Sequence, residues 1–342
     1  MYAIRKMDIK KAVINQTWEA LLSANNIRKE TNIRVTYGVF NEDDMLIATG
    51  SIYQNILKCI AVSDDYRGGS VLSQLITCLI DDVWQNGYHT CYVYTKAETV
   101  DSFRYSGFKE IARVNDELVF LEKANKGFDF YCEHLRKYKQ DGAKISAIVM
   151  NANPFSKGHQ YLVEQAAEKS DWVYVFVLSE DVSEFPFALR KQLVEQGVKH
   201  LSNVIVLETS NYMISSSTFP SYFLKEDADV IRIQAQLDAT IFAKRIAKEL
   251  GITHRYVGEE PLSVTTAIYN DVLKELLKPD IVVEVIKRKE VNDEVISATT
   301  IRMLLKENKV ESVKDYVPPT TYEFLISELG MQIINNLRKG GK

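Results

Sequence analysis

The chain has 342 residues, 46% hydrophobic and 26% charged, a make-up that fits a soluble globular protein of about two domains and excludes a disordered or membrane-embedded one. Forty-two basic residues against forty-six acidic ones give a net charge of −4, which speaks against nucleic acid as the main partner. The start, MYAIRKMDIKK, has no secretory apolar core, no run nears the roughly 20 apolar residues of a membrane span, and the four cysteines, none in Cys-x-x-Cys spacing, read as core thiols of a reducing cytoplasm.

In the first 125 residues short strands are expected at RVTYGVF and MLIATGS, around the turn NEDD, and then at KCIAVS and TCYVYT. SVLSQLITCLIDDVWQNG places Val71, Leu75, Leu79 and Val83 at helical spacing and stops at Gly87, and the shorter VDSFRYSGF ends at Gly107. Residues 126–143, KGFDFYCEHLRKYKQDGA, read as a connecting segment. From residue 144 the runs ISAIVM, WVYVFVL, NVIVL, DVIRI, HRYVG and IVVEVI alternate with helical stretches. Continuous hydrophobicity suits strands buried on both faces, so a doubly wound parallel sheet is expected, with its ligands beyond the carboxyl ends of the strands. The fold class is thus α/β: an α+β domain over 1–125, a connection over 126–143, and a Rossmann-like domain over 144–342.

The first of these later runs opens onto NANPFSKGHQYL. Pro154 fixes φ and stops the strand, and Gly158 lets a phosphate approach the backbone. His159, in the first helical turn, can give a proton or a positive charge to phosphate oxygens, and Ser156 can add a hydroxyl from the same side. A loop with a capping serine and a surface histidine is the bland alternative. The last run leads into ISATTIRMLL, where Ser297, Thr299 and Thr300 offer hydroxyls and N–H groups at a helix start and Arg302 follows one turn later. Alone, these are an N-cap and a solvated charge. Two anion-suited helix starts at the first and last crossovers of one sheet point to a polyphosphate. His89, His134, His200 and His254 lack metal-ligand spacing and read as structural or surface residues.

Ser156-x-Gly158-His159, followed about 140 residues later by Ile-Ser-x-Thr-x-x-Arg, resembles the two motifs of the nucleotidyltransferase superfamily, with Ser156 where that family has Thr or His. The resemblance implies that His159, Ser156 and Arg302 act on the triphosphate. It assigns Asn151, Asn153, Pro154, Phe155, Gly158, Ser297 and Thr299 to the nucleotide. THRYVGEEP, residues 253–261, resembles the strand-end segment near the nucleotide, with Gly258 against the base and Glu259 on ribose or adenine. AVSDDYRGGSVLSQL with DSFRYSGFKEI resembles the GNAT acetyltransferase fold, although Ser70 and Leu72 stand where its phosphate loop has small glycines.

A degenerate acetyltransferase fold ahead of such a nucleotidyltransferase resembles the citrate lyase ligase (acetate:citrate-lyase ligase) family along nearly the whole chain. IVMNANPFSKGHQYLVEQAA, SEDVSEFPFALR, TFPSYF and THRYVGEEP carry that resemblance. It implies a cytoplasmic acid–thiol ligase that uses ATP, with Mg2+ carried on its phosphates, and releases AMP and pyrophosphate. Acetate would pass through acetyl-adenylate to the thiol of a phosphoribosyl-dephospho-coenzyme A group on the acyl carrier subunit of citrate lyase; no nucleic acid or membrane partner is implied. Arg190, Arg67 and Gly68 are expected contacts of a phosphate or of the prosthetic group, with a surface helix charge the alternative for Arg190. A different adenylyltransferase, forming a dinucleotide or acting on pantetheine phosphate, is the alternative function.

Overall fold

Strand-forming residues in the first part of the chain build a seven-stranded mixed sheet. In the computed structural model its elements are β1 (Ala3–Met7), α1 (Ala12–Ala24), β2 (Val35–Phe40), β3 (Leu46–Tyr53), β4 (Ile56–Val62), α2 (Val71–Gln85), β5 (Thr90–Thr95), α3 (Val100–Tyr105), β6 (Lys109–Val114) and β7 (Leu118–Ala124), followed by α4 (Phe128–Arg136). The strand order is β1-β2-β3-β4-β5-β7-β6, antiparallel except between β4 and β5. α2 buries Val71, Leu75, Ile76, Leu79, Ile80 and Val83, the face its sequence spacing announced. It stops where Gly87 takes φ +84°, a conformation glycine adopts without penalty. The expected strands and both expected helices are present; β1, α1 and the β6–β7 hairpin add to them.

The structure describes residues 2–180, 183–213, 219, 227–259, 264–291 and 294–339. The chain divides into two units, Met1–Tyr131 with Phe219–Thr240, and Cys132–Thr218 with Ile241–Lys342. Of the sequence segments singled out above, TFPSYF lies outside the described residues except for Phe219, as do Asp181 and Val182 of SEDVSEF and Glu260 and Pro261 of THRYVGEEP. Among the described residues, no helix is long and apolar enough to cross a membrane.

From residue 145 the elements are β8 (Ile145–Met150), α5 (Lys157–Glu168), β9 (Trp172–Val177), α6 (Phe187–Gly197), β10 (Val204–Glu208), α7 (Asp227–Ile241), α8 (Ala247–Leu250), β11 (His254–Gly258), α9 (Val264–Leu276), β12 (Val282–Ile286), α10 (Ala298–Lys306), α11 (Pro319–Leu325) and α12 (Glu328–Arg338). Five of these strands form a parallel sheet in the order β10-β9-β8-β11-β12. The chain winds outward from β8 to β10 on one side and returns through β11 and β12 on the other. The reversal falls between β8 and β11, so the crevice expected of such a sheet opens beyond their carboxyl ends. DVIRI, expected as a strand, lies instead inside α7, whose buried residues include Ile233, Ala235, Leu237 and Ala239. A five-residue apolar run cannot separate the two periods, and the helical continuation decides the matter.

Candidate functional site

β8 ends at Met150, and the next six residues turn back over its carboxyl end before α5 begins. The turn contains Ala152 at φ +52° and a cis Asn153–Pro154 peptide. Ser156 then caps α5. Its hydroxyl accepts the His159 N–H at 3.2 Å, and its own N–H donates to His159 Nδ1 at 3.1 Å. This is a capping box in which the imidazole takes the place usual for Glu or Gln. Because Nδ1 is an acceptor in that bond, a neutral ring carries its proton on Nε2 and presents an N–H there. Burial first, and then the Arg288 charge, push the His159 pKa from 6.5 to about 4. The ring is therefore neutral at physiological pH. Of the two roles open to it from the sequence, hydrogen-bond donation is the one it is set up for.

Phe155 is fully buried and stacks on the His159 ring, with centroids 5.9 Å apart and planes 13° apart. It reaches that place because Gly197 has no side chain; a Cβ there would lie 2.4 Å from the Phe155 ring. Phe155 and Pro154 therefore sit in or against the core, and the buried Ser156 hydroxyl turns back onto its helix. All three were expected to touch the nucleotide. In the structure Phe155 and Ser156 hold the His159 ring, and Pro154 is buried.

The second helix start lies against the first. A Cβ on Gly158 would stand 3.5 Å from the carbonyl oxygen of Ile296, the residue before the α10 cap. Ser297 caps α10, its hydroxyl accepting from Thr299 N at 3.1 Å. Arg302 reaches back across the junction, donating from Nη1 to Asn153 O at 2.8 Å and from Nη2 to Thr299 Oγ1 at 3.2 Å. Its Nε lies 3.4 Å from Glu184 Oε1. A guanidinium has five N–H donors, so one on each terminal nitrogen is left for a ligand oxygen. At the α5 start, the Lys157 N–H is taken by Tyr316 O, while Gly158 N–H meets no acceptor among the described residues. Two adjacent helix N-termini, an imidazole N–H and a half-buried guanidinium make a donor set suited to a polyphosphate anion.

The remaining expected residues are placed as follows. Gly258, at the end of β11, has open space where a Cβ would be, and its carbonyl accepts from Asn270 Nδ2 at 3.1 Å. Glu259 is exposed, and its carbonyl accepts from Arg288 Nε at 2.7 Å. Asn151 is exposed at the turn after β8. Arg190 is wholly buried, so the solvated helix charge is ruled out. Its Nε donates to Phe185 O, Nη2 to Glu180 O, and Nη1 to Leu178 O, Asn151 O and Asn151 Oδ1, all at 2.6–2.9 Å. These donors hold backbone, which makes Arg190 a fastener of the loops around the site. Arg67 and Gly68 belong to the first unit, in the exposed turn before α2; Arg67 pairs with Asp64 at 2.8 Å, and Gly68 takes φ +78°.

Sequence reading missed Glu184 and Arg288. Glu184 accepts from Asn153 Nδ2 at 2.6 Å as well as facing Arg302. Burial alone would raise its pKa. Hydrogen bonds from Asn153 and from its own backbone, with the Arg302 and Lys306 charges, outweigh that and hold it below the usual value. Arg288 donates to the carbonyls on both sides of the crevice, Glu259 O and, at 3.4 Å, Ile296 O. Arg288 lies in no recognisable motif, and Glu184 lies in SEDVSEFPFALR, a segment that marks the family resemblance without pointing to a role for its carboxylate. Only the topology brings them to the site.

A doubly wound parallel-sheet domain with two adjacent helix N-termini at its switch point, preceded along the chain by an α+β domain, defines the class: a two-part α/β protein with a Rossmann-like second part. Residues 145–325 match the family model described as citrate lyase ligase C-terminal domain. The chain is 40% identical over 286 residues to citrate (pro-3S)-lyase ligase of Klebsiella pneumoniae, covering 82% of this chain and 84% of that protein. It is 36% identical over 310 residues to the Escherichia coli K12 protein of the same name, covering 89% and 88%. It belongs to the citrate lyase ligase family and is an enzyme of the ligase class. Among solved structures, it is similar to Thermotoga maritima TmcAL bound with alpha-thio ATP (TM-score 0.35, 19% identity, 56% of this chain and 57% of that one). It is also similar to an acetyltransferase of the GNAT family from Staphylococcus aureus Mu50 (TM-score 0.30, 13% identity, 36% and 99%).

Proposed function

We propose that the chain uses ATP to join acetate to the thiol of a prosthetic group on the acyl carrier subunit of citrate lyase. A carboxylate oxygen of acetate attacks the α-phosphorus, the bond from that phosphorus to the bridging oxygen breaks, and pyrophosphate leaves. The thiol sulfur then attacks the carbonyl carbon of acetyl-adenylate, gives up its proton and expels AMP. The prosthetic group in this reading is phosphoribosyl-dephospho-coenzyme A.

The observation that carries the reading is the contact of the two helix starts, Gly158 against Ile296, bridged by Arg302 on the Asn153 carbonyl. Charge accumulates on the β- and γ-phosphate oxygens as pyrophosphate departs, and preorganised donors at that place lower the barrier. His159 supplies Nε2–H, Arg302 its remaining N–H pair, and Gly158 its backbone N–H. Ser156 and Phe155 hold the imidazole. Ser297 and Thr299 shape the second helix start, and the open side of Gly258 with Glu259 takes the nucleoside. Mg2+ is expected to arrive on the phosphates of ATP.

The protein mixed with ATP, Mg2+ and a panel of small carboxylates should release pyrophosphate, with acetate the best substrate. Exchange of pyrophosphate into ATP that depends on a mononucleotide or on pantetheine phosphate, and not on a carboxylic acid, would instead favour a dinucleotide-forming or pantetheine-phosphate adenylyltransferase.

A further inference from the structure

Arg302 is the side chain that joins the two halves of the site, and it is long and flexible. What fixes its direction is a closed network. Asn153 is held at three points: its Nδ2 donates to Glu184 Oε2 at 2.6 Å, its Oδ1 accepts from Phe185 N at 3.1 Å, and its carbonyl accepts from Arg302 Nη1 at 2.8 Å. The other Glu184 oxygen faces Arg302 Nε at 3.4 Å, which completes the ring. Phe185 anchors the segment, being fully buried in the cluster that contains Ile301 and Leu305 of α10. Arg190 fastens the same segment to the turn after β8 through Phe185 O and Asn151 O. The carboxylate of Glu184 thus stands on a rigid base, between the two motifs and in contact with both.

We propose that Glu184 is a positioning residue for this site: its carboxylate, shared between Asn153 and Arg302, sets the direction in which Arg302 offers its two remaining N–H groups. The inference rests on the polyphosphate reading given above. It assigns a role to the β9–α6 segment, which carries no nucleotidyltransferase motif. Two effects of the carboxylate oppose each other. It aims the guanidinium, which favours the transition state, and it places a negative charge near the phosphates, which disfavours ATP in the ground state. Removing it should therefore leave ATP bound at least as well while slowing turnover. A displacement of about 1 Å in a catalytic cation can cost on the order of 100-fold in rate.

The test is a double-mutant cycle on the full chain with Glu184→Ala, Arg302→Ala and the pair, with Glu184→Gln as the isosteric control. Equilibrium binding of ATP and acetate-dependent pyrophosphate release are both measured. Glu184→Ala should lower kcat by roughly 10- to 100-fold, with the ATP Kd unchanged or lower and thermal stability near that of the parent. In the Arg302→Ala background, the same change should cost less than about 2-fold, because a residue acting through Arg302 has nothing left to position. Glu184→Gln keeps one acceptor but turns an amide N–H2 towards Asn153 or Arg302, and should fall between the parent and Ala. Independent, multiplying losses in the double variant would overturn the proposal, as would a weakened ATP Kd that tracks a drop in stability. If the parent itself released no pyrophosphate with any carboxylate, the ligase reading would fail instead, and ATP binding alone would then report on the network.

Discussion

His159 has two structural duties, and substitutions can separate them from the chemical duty proposed for it. His159→Ala removes the acceptor for the Ser156 N–H, the stacking on Phe155 and the Nε2 donor together. The Ser156 cap on the backbone N–H of residue 159 survives, and the orphaned N–H of Ser156, a residue only 2% exposed, costs about 2 kcal/mol. At ~2–4 °C per kcal/mol for a unit of this size, Tm should fall by roughly 4–8 °C. His159→Gln differs in one respect: Gln at this position is an ordinary capping-box partner and restores the reciprocal bond. Its amide does not occupy the place of Nε2. Calorimetry and acetate-dependent pyrophosphate release on the two variants should diverge. Gln should recover most of the stability, while both variants lose about 100-fold or more in rate. Recovery of rate with the cap in the Gln variant, or a near-normal rate for Ala, would refute a role for the imidazole N–H. The pH dependence adds a check with a definite sign. The folded-state pKa of His159 lies near 4 against 6.5 for the unfolded chain, so this group's contribution is complete above pH 6.5 and lost as pH falls towards 4. His159→Gln should flatten the stability profile across that interval.

Gly197→Ala should destabilise despite the better helix propensity of alanine, since its Cβ would lie 2.4 Å from a fully buried ring; overpacking of this kind costs about 1–3 kcal/mol, and activity should drop as Phe155 shifts under His159. A normal Tm and rate would show that Phe155 does not support the imidazole. Arg190→Met keeps the apolar stem but leaves the buried carbonyls around Arg190 without its donors, a loss of about 1–3 kcal/mol for each acceptor that finds no new partner, measured by urea unfolding. Arg190→Lys should recover only part of it, because one ammonium cannot span the fork. Full rescue by Lys would contradict the fastening role.

The architecture was legible where sequence periods were long or apolar on both faces, as in α2 and in β8, β9, β11 and β12. DVIRI failed because three apolar residues, Val230, Ile231 and Ile233, in a window of five fit a strand as well as a helix, and nothing in that window announces the fifteen-residue helix α7. Both helix starts were readable from their capping residues and glycine. The sequence could not tell which side chains of NANPFSKGH face outwards. Phe155 looks as available as Asn151 until Gly197, forty residues on, is seen to open a slot for its ring. Arg190 reads from sequence as a phosphate or prosthetic-group contact, or else a helix charge, because a buried guanidinium held by carbonyls leaves no local mark. Glu184 and Arg288 reach the site only through strand order, which pairwise spacing along the chain does not encode.

Acid activation at the α-phosphorus is tested most directly by running one turnover with oxygen-18-labelled acetate and following the label by mass spectrometry. Attack by the acetate carboxylate on that atom should leave one labelled oxygen in AMP after transfer of the acetyl group, with unlabelled pyrophosphate. Label in inorganic phosphate together with ADP as the nucleotide product would mean attack at the γ-phosphorus, and the adenylation chemistry assigned to His159, Arg302 and the paired helix starts would be wrong.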